Sequence, residues 1–183
     1  MNSQAKEIRQ QFRLLMNGVT AQSLREKGQD YHINWGASLG HLKTLASEYD
    51  KDRDTAMALW QDDVRESKIM ATLLMPASVM IQEEAREWID ATHTQEIAEV
   101  ASMNLYQYLP YAKTLALALI VEDDVMRQLH GYCILSRLFI KGTDFDESEY
   151  HNIYECADRV VADETAPLYL RHAAYNTLGK INA

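Results

Sequence analysis

The sequence is poor in the residues that interrupt helices. It has 7 glycines and 3 prolines in 183 residues, and it lacks runs of β-branched residues. Glycine and proline mark turns and helix ends, so their scarcity argues against a protein of many short strands and tight turns. The composition therefore predicts an all-α protein. At this length we expect one domain, residues 1–183, large enough to bury a core.

Cysteines and long apolar runs are also scarce. The 2 cysteines, Cys133 and Cys156, cannot form a disulfide framework and are expected to be buried free thiols. No apolar run reaches the length of about 18 residues that a membrane span needs, so no membrane contact is expected. The N-terminal residues 1–12 carry charges where a signal peptide needs an apolar core, which predicts a cytoplasmic location.

Basic side chains are outnumbered by acidic ones. The chain has 18 Lys and Arg against 27 Asp and Glu, a net charge of −9. Proteins that bind nucleic acids usually have a basic balance, because phosphate contacts supply most of their affinity. The total therefore argues against strong, non-specific DNA binding, and it leaves room only for a local basic groove.

Small residues recur at a fixed interval within apolar helical stretches. Ala71, Ala101 and Gly131 follow one another at equal spacing, and Ala173 comes after a longer insert. Each lies in a helix preceded by another helix with an apolar end, at Trp60, Trp88, Ile120 and Val161. Neither helix of such a pair can bury its apolar face alone. The pattern predicts an α-solenoid of HEAT-like helix pairs, with an irregular helical bundle as the alternative.

The apolar spacing also locates the individual helices. The clearest pair lies in residues 56–76, where the first helix ends near Trp60 and the second runs over 64–75. Ser38 is a predicted N-cap. Other helices are predicted over 3–17, 38–49, 80–91, 95–109, 110–121, 125–140, 149–162 and 168–181, with a helical turn at 23–27 and an extended link at 31–36.

Three stretches carry a resemblance to a known family. They are RLLMNGVTAQSLREKGQDYHINWGASLGHLKTLA at 13–46, ALWQDDVRESKIMATLL at 58–74 and TAPLYLRHAAYNTLGKI at 165–181. Together they resemble the DNA alkylation repair family, the HEAT-like repeat alkylpurine DNA glycosylases of the AlkD type, in a short and divergent form. The resemblance implies an α-α superhelix that holds double-stranded DNA in a concave basic groove.

The resemblance also implies a chemistry and its residues. Family members excise N3- and N7-alkylated purines, using an aspartate that stabilises the oxocarbenium ion and two tryptophans that contact the lesion. The aspartate and one tryptophan belong to a W-D-x-x-D turn, which corresponds here to Gln95-Glu96-Ile97-Ala98-Glu99. The second tryptophan opens a W-x-x-R-x-G stretch, which corresponds here to residues 126–131. Glu99 is thus the catalytic candidate, and Gln95, Glu96 and Met126 are the lesion-binding candidates.

The departures from these motifs lower the expected activity. Glu99 is one methylene longer than aspartate, and a stabilising charge misplaced by about 1 Å can cost on the order of 100-fold in rate. Gln95 and Met126 replace both tryptophans, at about 1–3 kcal/mol for each lost stacking contact. The arginine of the second motif is also absent. Weak or absent excision is therefore expected, and Glu99 is alternatively an ordinary solvated helix carboxylate.

Basic residues on or beside the second helices complete the candidate site. If those helices line a concave face, as the resemblance implies, the basic side chains contact phosphates; otherwise they are ordinary solvated charges. They are Lys68, Arg127, Arg137, Arg171, His172 and Lys180. No cofactor or metal is expected, because His151, Glu155 and Cys156 lack a second ligand pair.

Three functions stay open on the sequence. The first is a divergent DNA-binding protein with weak or no glycosylase activity. The second is an active alkylpurine DNA glycosylase that uses Glu99. The third is a protein-interaction scaffold, because α-solenoids commonly bind protein partners on the concave face.

Overall fold

The computed structural model describes residues 2–29 and 31–181, and it is helical with no strand in those ranges. Two 3₁₀ helices, Phe12–Leu15 and Tyr106–Tyr108, interrupt the α-helical series. The α-helices of the described ranges are α1 (Ser3–Gln11), α2 (Gly18–Glu26), α3 (Leu39–Ala46), α4 (Arg53–Trp60), α5 (Arg65–Leu74), α6 (Gln82–Asp90), α7 (Gln95–Asn104), α8 (Ala112–Leu119), α9 (Val125–Ile140), α10 (Glu147–Ala162) and α11 (Leu168–Ile181).

The helices form two compact units, residues 1–80 and 81–183. In the first unit α5 packs against α3 and α4, and α1 packs against α4. In the second unit α9 packs against α6, α7, α8 and α11, and α10 packs against α11. That residues 1–183 fold as one domain stays a prediction. Within the described ranges, no helix is both long enough and apolar enough to cross a membrane.

Capping side chains determine where most helices begin. The side-chain oxygen of a cap accepts a hydrogen bond from a backbone N–H that has no partner inside the first turn. Ser38 does so for α3, as predicted, through the amide of His41 at 3.1 Å. The other caps of this kind are Asn2, Asn17, Asp52, Thr94, Asp124 and Asp146.

The predicted helix over 3–17 is wrong beyond its first three turns. The chain leaves the α-helix at Phe12, and Asn17 caps a new helix that starts at Gly18, where the sequence had indicated an end. Helical periodicity no longer applies after Phe12, so Met16, which a continuous helix would place on the same face as the buried Phe12, is 63% exposed. The turn predicted at 23–27 is the end of α2.

The pair α4–α5 buries the side chains that the sequence indicated, with one exception. Ala56, Leu59 and Trp60 are buried on α4. On α5 the buried residues include Ile69, Met70, Ala71 and Leu74, whereas Leu73 is only half-buried. The helix pair is therefore an amphipathic unit that depends on neighbouring helices, as expected for a repeat.

A buried carboxylate fastens the extended link of the first unit to α5. Glu66 is fully buried and accepts hydrogen bonds from the backbone amides of Trp35 and Ala37, each at 3.1 Å. It also pairs with the Arg65 guanidinium at 2.9 Å, and that group donates to the Ala37 carbonyl at 2.8 Å. A single parallel bridge between Ile33 and Val64 completes the connection. The link is ordered although it has no helix or sheet of its own.

A glycine lets the same link approach the start of α2. Gly36 has a φ of +73°, and a Cβ at this position would lie 2.1 Å from the carbonyl oxygen of Asn17. The Asn17 amide donates to the Trp35 carbonyl at 2.8 Å. Only glycine fits both the backbone conformation and the contact.

The second unit is organised around a close approach of α8 and α9. Gly131 of α9 faces Ile120 and Ala116, and a Cβ there would lie 2.7 Å from Ile120 Cγ2 and 3.1 Å from the Ala116 carbonyl oxygen. This contact, and the complete burial of Ala71 and Ala101, confirms that small residues mark the buried faces of the repeated helices. In α11 the buried small residue is Ala174, one position after the predicted Ala173.

A buried polar cluster lies beside Gly131. His130 is fully buried, its ring is edge-on to Tyr106 with 5.6 Å between centroids, and neither ring nitrogen has a hydrogen-bond partner among the described residues. Burial lowers the pKa of His130 to about 3, against the weaker opposing effects of Asp90 and Asp124. His130 is therefore neutral in the folded protein.

We expect Gly131→Ala to destabilise the protein by about 1–2 kcal/mol, because overpacking outweighs the gain in helix propensity. Gly179→Ala is the matched control, since a Cβ at this α11 position meets nothing within 4 Å. The control should be neutral or gain up to about 1 kcal/mol in free energy of unfolding. Urea unfolding at constant pH measures both variants, and equal effects would contradict the close approach.

We expect His130 to make the protein sensitive to acid. The unfolded state takes up a proton below its pKa of about 6.5, whereas the folded state does so only near pH 3. The free energy of unfolding should therefore fall by about 1.4 kcal/mol per pH unit between these values. His130→Leu should reduce that slope, whereas the control His151→Gln, at an exposed position, should retain it. Unfolding curves from pH 7 to 4.5 test this, and an unchanged slope in His130→Leu would contradict it.

Candidate nucleic-acid interface

A groove of about 420 Å³ in the second unit is lined by residues of α7, α9 and α11. We call it the α9 groove. Its volume falls in the range of about 300–1,000 Å³ that is usual for ligand sites. Five of the site residues indicated by the sequence line it, namely Gln95, Glu99, Arg137, His172 and Lys180.

Small side chains form the groove where α9 meets α11. The hydroxyl oxygens of Ser136 and Thr177 lie 3.0 Å apart, which joins the two helices side chain to side chain. Cys133, Ser136 and Ala173 line the groove at this junction. Because these side chains are short, the longer charged side chains around them border an open space.

The basic side chains of the groove are largely uncommitted. The side chain of Arg137 makes no ion pair or hydrogen bond with any part of the chain that the structure describes. Within the described ranges the Lys180 ammonium contacts a backbone carbonyl, that of Asn176 at 3.4 Å, and His172 is exposed. These groups can therefore bind an anion without first breaking an internal ion pair.

A carboxylate occupies the α7 side of the groove. Glu99 is exposed and accepts a hydrogen bond from Gln95 Nε2 at 2.7 Å, one helical turn away. Beside it, burial raises the pKa of Cys133 to about 12, with Glu99 adding to the rise and Arg137 opposing it. The Cys133 thiol is therefore protonated at neutral pH and is a poor nucleophile.

Arg127 lies outside the groove and is held by acidic neighbours. Its guanidinium contacts Asp90 at 2.8 Å and Glu122 at 2.8 Å. These hydrogen bonds raise the pKa of Arg127. Glu122 also pairs with Arg86 at 2.9 Å. The charge of Arg127 is therefore paired with carboxylates of the protein, and Arg127 is not available to bind phosphate.

The remaining site residues from the sequence are also placed elsewhere. Lys68 belongs to the first unit, where its ammonium lies 4.5 Å from the Trp60 ring centroid and burial lowers its pKa. Arg171 donates to the Val161 carbonyl at 3.2 Å. Glu96 and Met126 are half-buried and do not line the groove.

The structure adds groove residues that the sequence reasoning missed. Tyr169 and Asn176 lie on α11 with His172 and Lys180, and together they form one stripe along the groove. Their spacing of three, four and four residues is that of a single helix face. This spacing is visible in the sequence, but Tyr169 and Asn176 carry no charge, so a pattern of basic residues does not include them.

The net negative charge of the protein resides in the second unit. Residues 1–80 have 10 Lys and Arg against 10 Asp and Glu, and residues 81–183 have 8 against 17, which gives the chain totals of 18 and 27. The cations of the α9 groove are therefore a local basic feature in an acidic unit.

Comparison with known proteins supports the fold. No family model matches the sequence. No curated protein matches it either. The structure is similar to a solved one described as "a new family of proteins related to the HEAT-like repeat DNA glycosylases with affinity for branched DNA structures". The TM-score is 0.84 at 16% identity, over 96% of this chain and 74% of that chain. The chain has a HEAT-like repeat fold, which confirms the α-solenoid prediction.

Proposed function

We propose that this protein binds DNA through the α9 groove, prefers branched to linear DNA and has little or no alkylpurine glycosylase activity. The observation that supports this most is the gathering of Arg137, His172 and Lys180 in one groove, without ion pairs to the residues that the structure describes. The similar structure belongs to proteins with affinity for branched DNA, which agrees with DNA as the ligand.

The acidic surroundings are compatible with weak, local phosphate binding. At physiological ionic strength, charges farther apart than about 8 Å are largely screened from each other. A phosphate in the groove therefore interacts mainly with the charged side chains that line it. Arg137, Lys180 and His172 attract the phosphate, Glu99 on the α7 side repels it, and more distant carboxylates contribute less. The net charge of −9 still opposes long-range attraction, so binding is expected to be weak and strongly dependent on salt.

A preference for branched DNA follows from the few cations that are available. At a branch point several phosphate backbones come close together, and their combined negative potential exceeds that of one duplex. A groove with two or three unpaired cations gains more electrostatic binding free energy from that concentrated charge than from a linear duplex. This is how an acidic protein can select a DNA structure.

The surroundings of Glu99 disfavour base excision. Stabilisation of a developing cation by a carboxylate is strong in a site that excludes water and weak in water. Glu99 is exposed and already accepts a hydrogen bond from Gln95. Gln95 occupies the position of one tryptophan, and Met126, at the position of the other, is half-buried outside the groove, so neither position supplies an aromatic side chain. Active excision through Glu99 is therefore the less favoured alternative.

A protein-interaction scaffold is the second candidate function. The observation that favours it is the acidic excess of residues 81–183, with 17 Asp and Glu against 8 Lys and Arg. Such a surface is complementary to a basic protein partner. The two functions differ in their ligand, and the DNA-binding measurement separates them.

We expect Arg137→Ala and Lys180→Ala each to weaken binding to a labelled four-way junction. Each phosphate contact contributes about 0.9 to the slope of log K against log salt, so each variant should reduce the slope by about that amount. Fluorescence anisotropy of the full chain with the junction, and with a linear duplex of equal length, measures both quantities at several salt concentrations.

Arg159→Ala is the matched control for this measurement. Arg159 is an exposed arginine of the same unit that does not line the α9 groove. Its removal should change the net charge equally but leave the salt slope unchanged. If wild-type protein binds neither DNA at low salt, DNA is not the ligand, and the scaffold function is favoured.

We expect the purified protein to release no 7-methylguanine from an alkylated duplex above the spontaneous rate. The reason is the water-exposed, hydrogen-bonded state of Glu99. Chromatography of the free base over several hours measures it, with a Glu99→Gln variant run in parallel. Release far above background in wild type that disappears in Glu99→Gln would establish the glycosylase alternative.

A further inference from the structure

Three apolar side chains of the first unit project into solvent within six consecutive residues. They are Leu14, Met16 and Val19, which are 79%, 63% and 82% exposed. We call them the apolar knob. Single exposed apolar side chains are ordinary, whereas several exposed within one short stretch are a reason to look for an interaction surface. The exposed fractions of Leu14 and Val19 are also the highest among the large apolar side chains that the structure describes as exposed.

The backbone that carries the apolar knob is held in place by the extended link at residues 31–36. Asn17, between Met16 and α2, donates its amide to the Trp35 carbonyl at 2.8 Å and packs against Gly36. The buried Glu66 in turn holds the amide of Trp35. The knob is therefore a preorganised projection, and its exposed side chains can bind a partner without first ordering the chain.

The stretch around the knob is basic, unlike the chain as a whole. Residues 13–27 include Arg13, Arg25 and Lys27 against the single acidic residue Glu26. The Arg13 guanidinium lies 6.0 Å from the Trp35 ring centroid, and no ion pair occupies it within the described ranges. Arg13 directly precedes Leu14, and Leu14 also borders a small groove with Glu48 on its other side. An apolar projection beside the guanidinium of Arg13 is complementary to an anionic ligand that also offers an apolar face.

DNA at a branch point has both properties. In a continuous duplex every base pair is stacked between neighbours, so its apolar faces are closed to a protein. At an open branch, whose arms are not stacked on one another, the base pairs at the branch point lose a stacking neighbour while the phosphates remain alongside. Proteins insert Leu, Met and similar side chains at unstacked base steps, whereas nearby cations bind the backbone.

We propose that the apolar knob packs against an unstacked base pair at a DNA branch point, with Arg13 on an adjacent phosphate. This inference rests on the proposed function, and it goes beyond it by assigning a second DNA contact, in the first unit. The knob supplies structure selectivity, because a continuous duplex has no open base face for it. Arg13 supplies an attraction that depends on salt.

The test compares full-length wild type with the double variant Leu14→Ser/Val19→Ser. Both side chains are solvent-exposed, so the fold should be retained, which circular dichroism and thermal unfolding verify. Junction affinity should fall by about tenfold, and duplex affinity should stay unchanged. The salt slope for the junction should also stay unchanged, since no phosphate contact is removed. The matched control Val121→Ser/Leu168→Ser removes similar exposed apolar groups, 58% and 64% exposed, and should have no effect.

Each outcome decides the inference. If wild type binds the junction and Arg137→Ala weakens it, but the knob variant binds like wild type, the knob assignment is wrong and the proposed function stands. An equal loss on junction and duplex also overturns it. If wild type binds neither DNA, both proposals fail together. If wild type instead sediments with phosphatidylserine vesicles and the knob variant does not, the knob is a membrane contact.

Discussion

The fully buried carboxylate of Glu66 is the interaction on which the first unit depends most. A buried charge is costly unless it is paired and hydrogen-bonded. Glu66 meets that condition with the amides of Trp35 and Ala37 and the guanidinium of Arg65. The extended link between α2 and α3 also contacts α5 at Ile33, whose carbonyl accepts from the Arg65 amide at 3.0 Å. Without the Glu66 carboxylate, the amides of Trp35 and Ala37 would lose their acceptor.

The same interaction determines what the protein presents at its surface. Because Glu66 holds Trp35, the Trp35 carbonyl is in place to accept from Asn17 at 2.8 Å. Asn17 caps α2 and lies between Met16 and Val19 of the apolar knob. The buried Glu66 carboxylate thus positions the exposed knob through two successive hydrogen bonds. The first joins Glu66 to the Trp35 amide, and the second joins the Trp35 carbonyl to the Asn17 amide. In the second unit Gly131 has the corresponding role, since its contact with α8 fixes α9, the helix that carries Arg137.

Much of the fold could be predicted from the sequence, because repeat architecture depends on local periodicity. The spacing of Ala71, Ala101 and Gly131 identified the buried helix faces, and the bounds of α9 and α11 agree with the sequence pattern. The prediction was wrong at residues 12–18, where a 3₁₀ turn and the Asn17 cap replace a continuous helix. At these residues the Asn17 cap starts a new helix, which interrupts the apolar periodicity of the first one. In the sequence, the only sign of this interruption is the capping residue itself.

The candidate site was less predictable, because its properties depend on neighbours distant in sequence. Arg127 and Arg137 lie on one helix, and nothing in their local sequence distinguishes their roles. Asp90 and Glu122 reach Arg127, whereas no carboxylate pairs with Arg137 among the described residues. The sequence therefore indicates six basic candidates, and the structure brings three of them together in the α9 groove.

The distribution of free and paired cations matters more for function than the net charge does. The second unit has only 8 Lys and Arg, and Glu122 alone occupies two of them, Arg86 and Arg127. An acidic unit that neutralises some of its cations internally leaves few sites for phosphate. Non-specific binding along a duplex needs many such contacts, whereas recognition of a branch needs only a few that are well placed. Under the proposed function, scarcity of unpaired cations is therefore a means of selectivity, and it reconciles the proposed DNA binding with a net charge of −9.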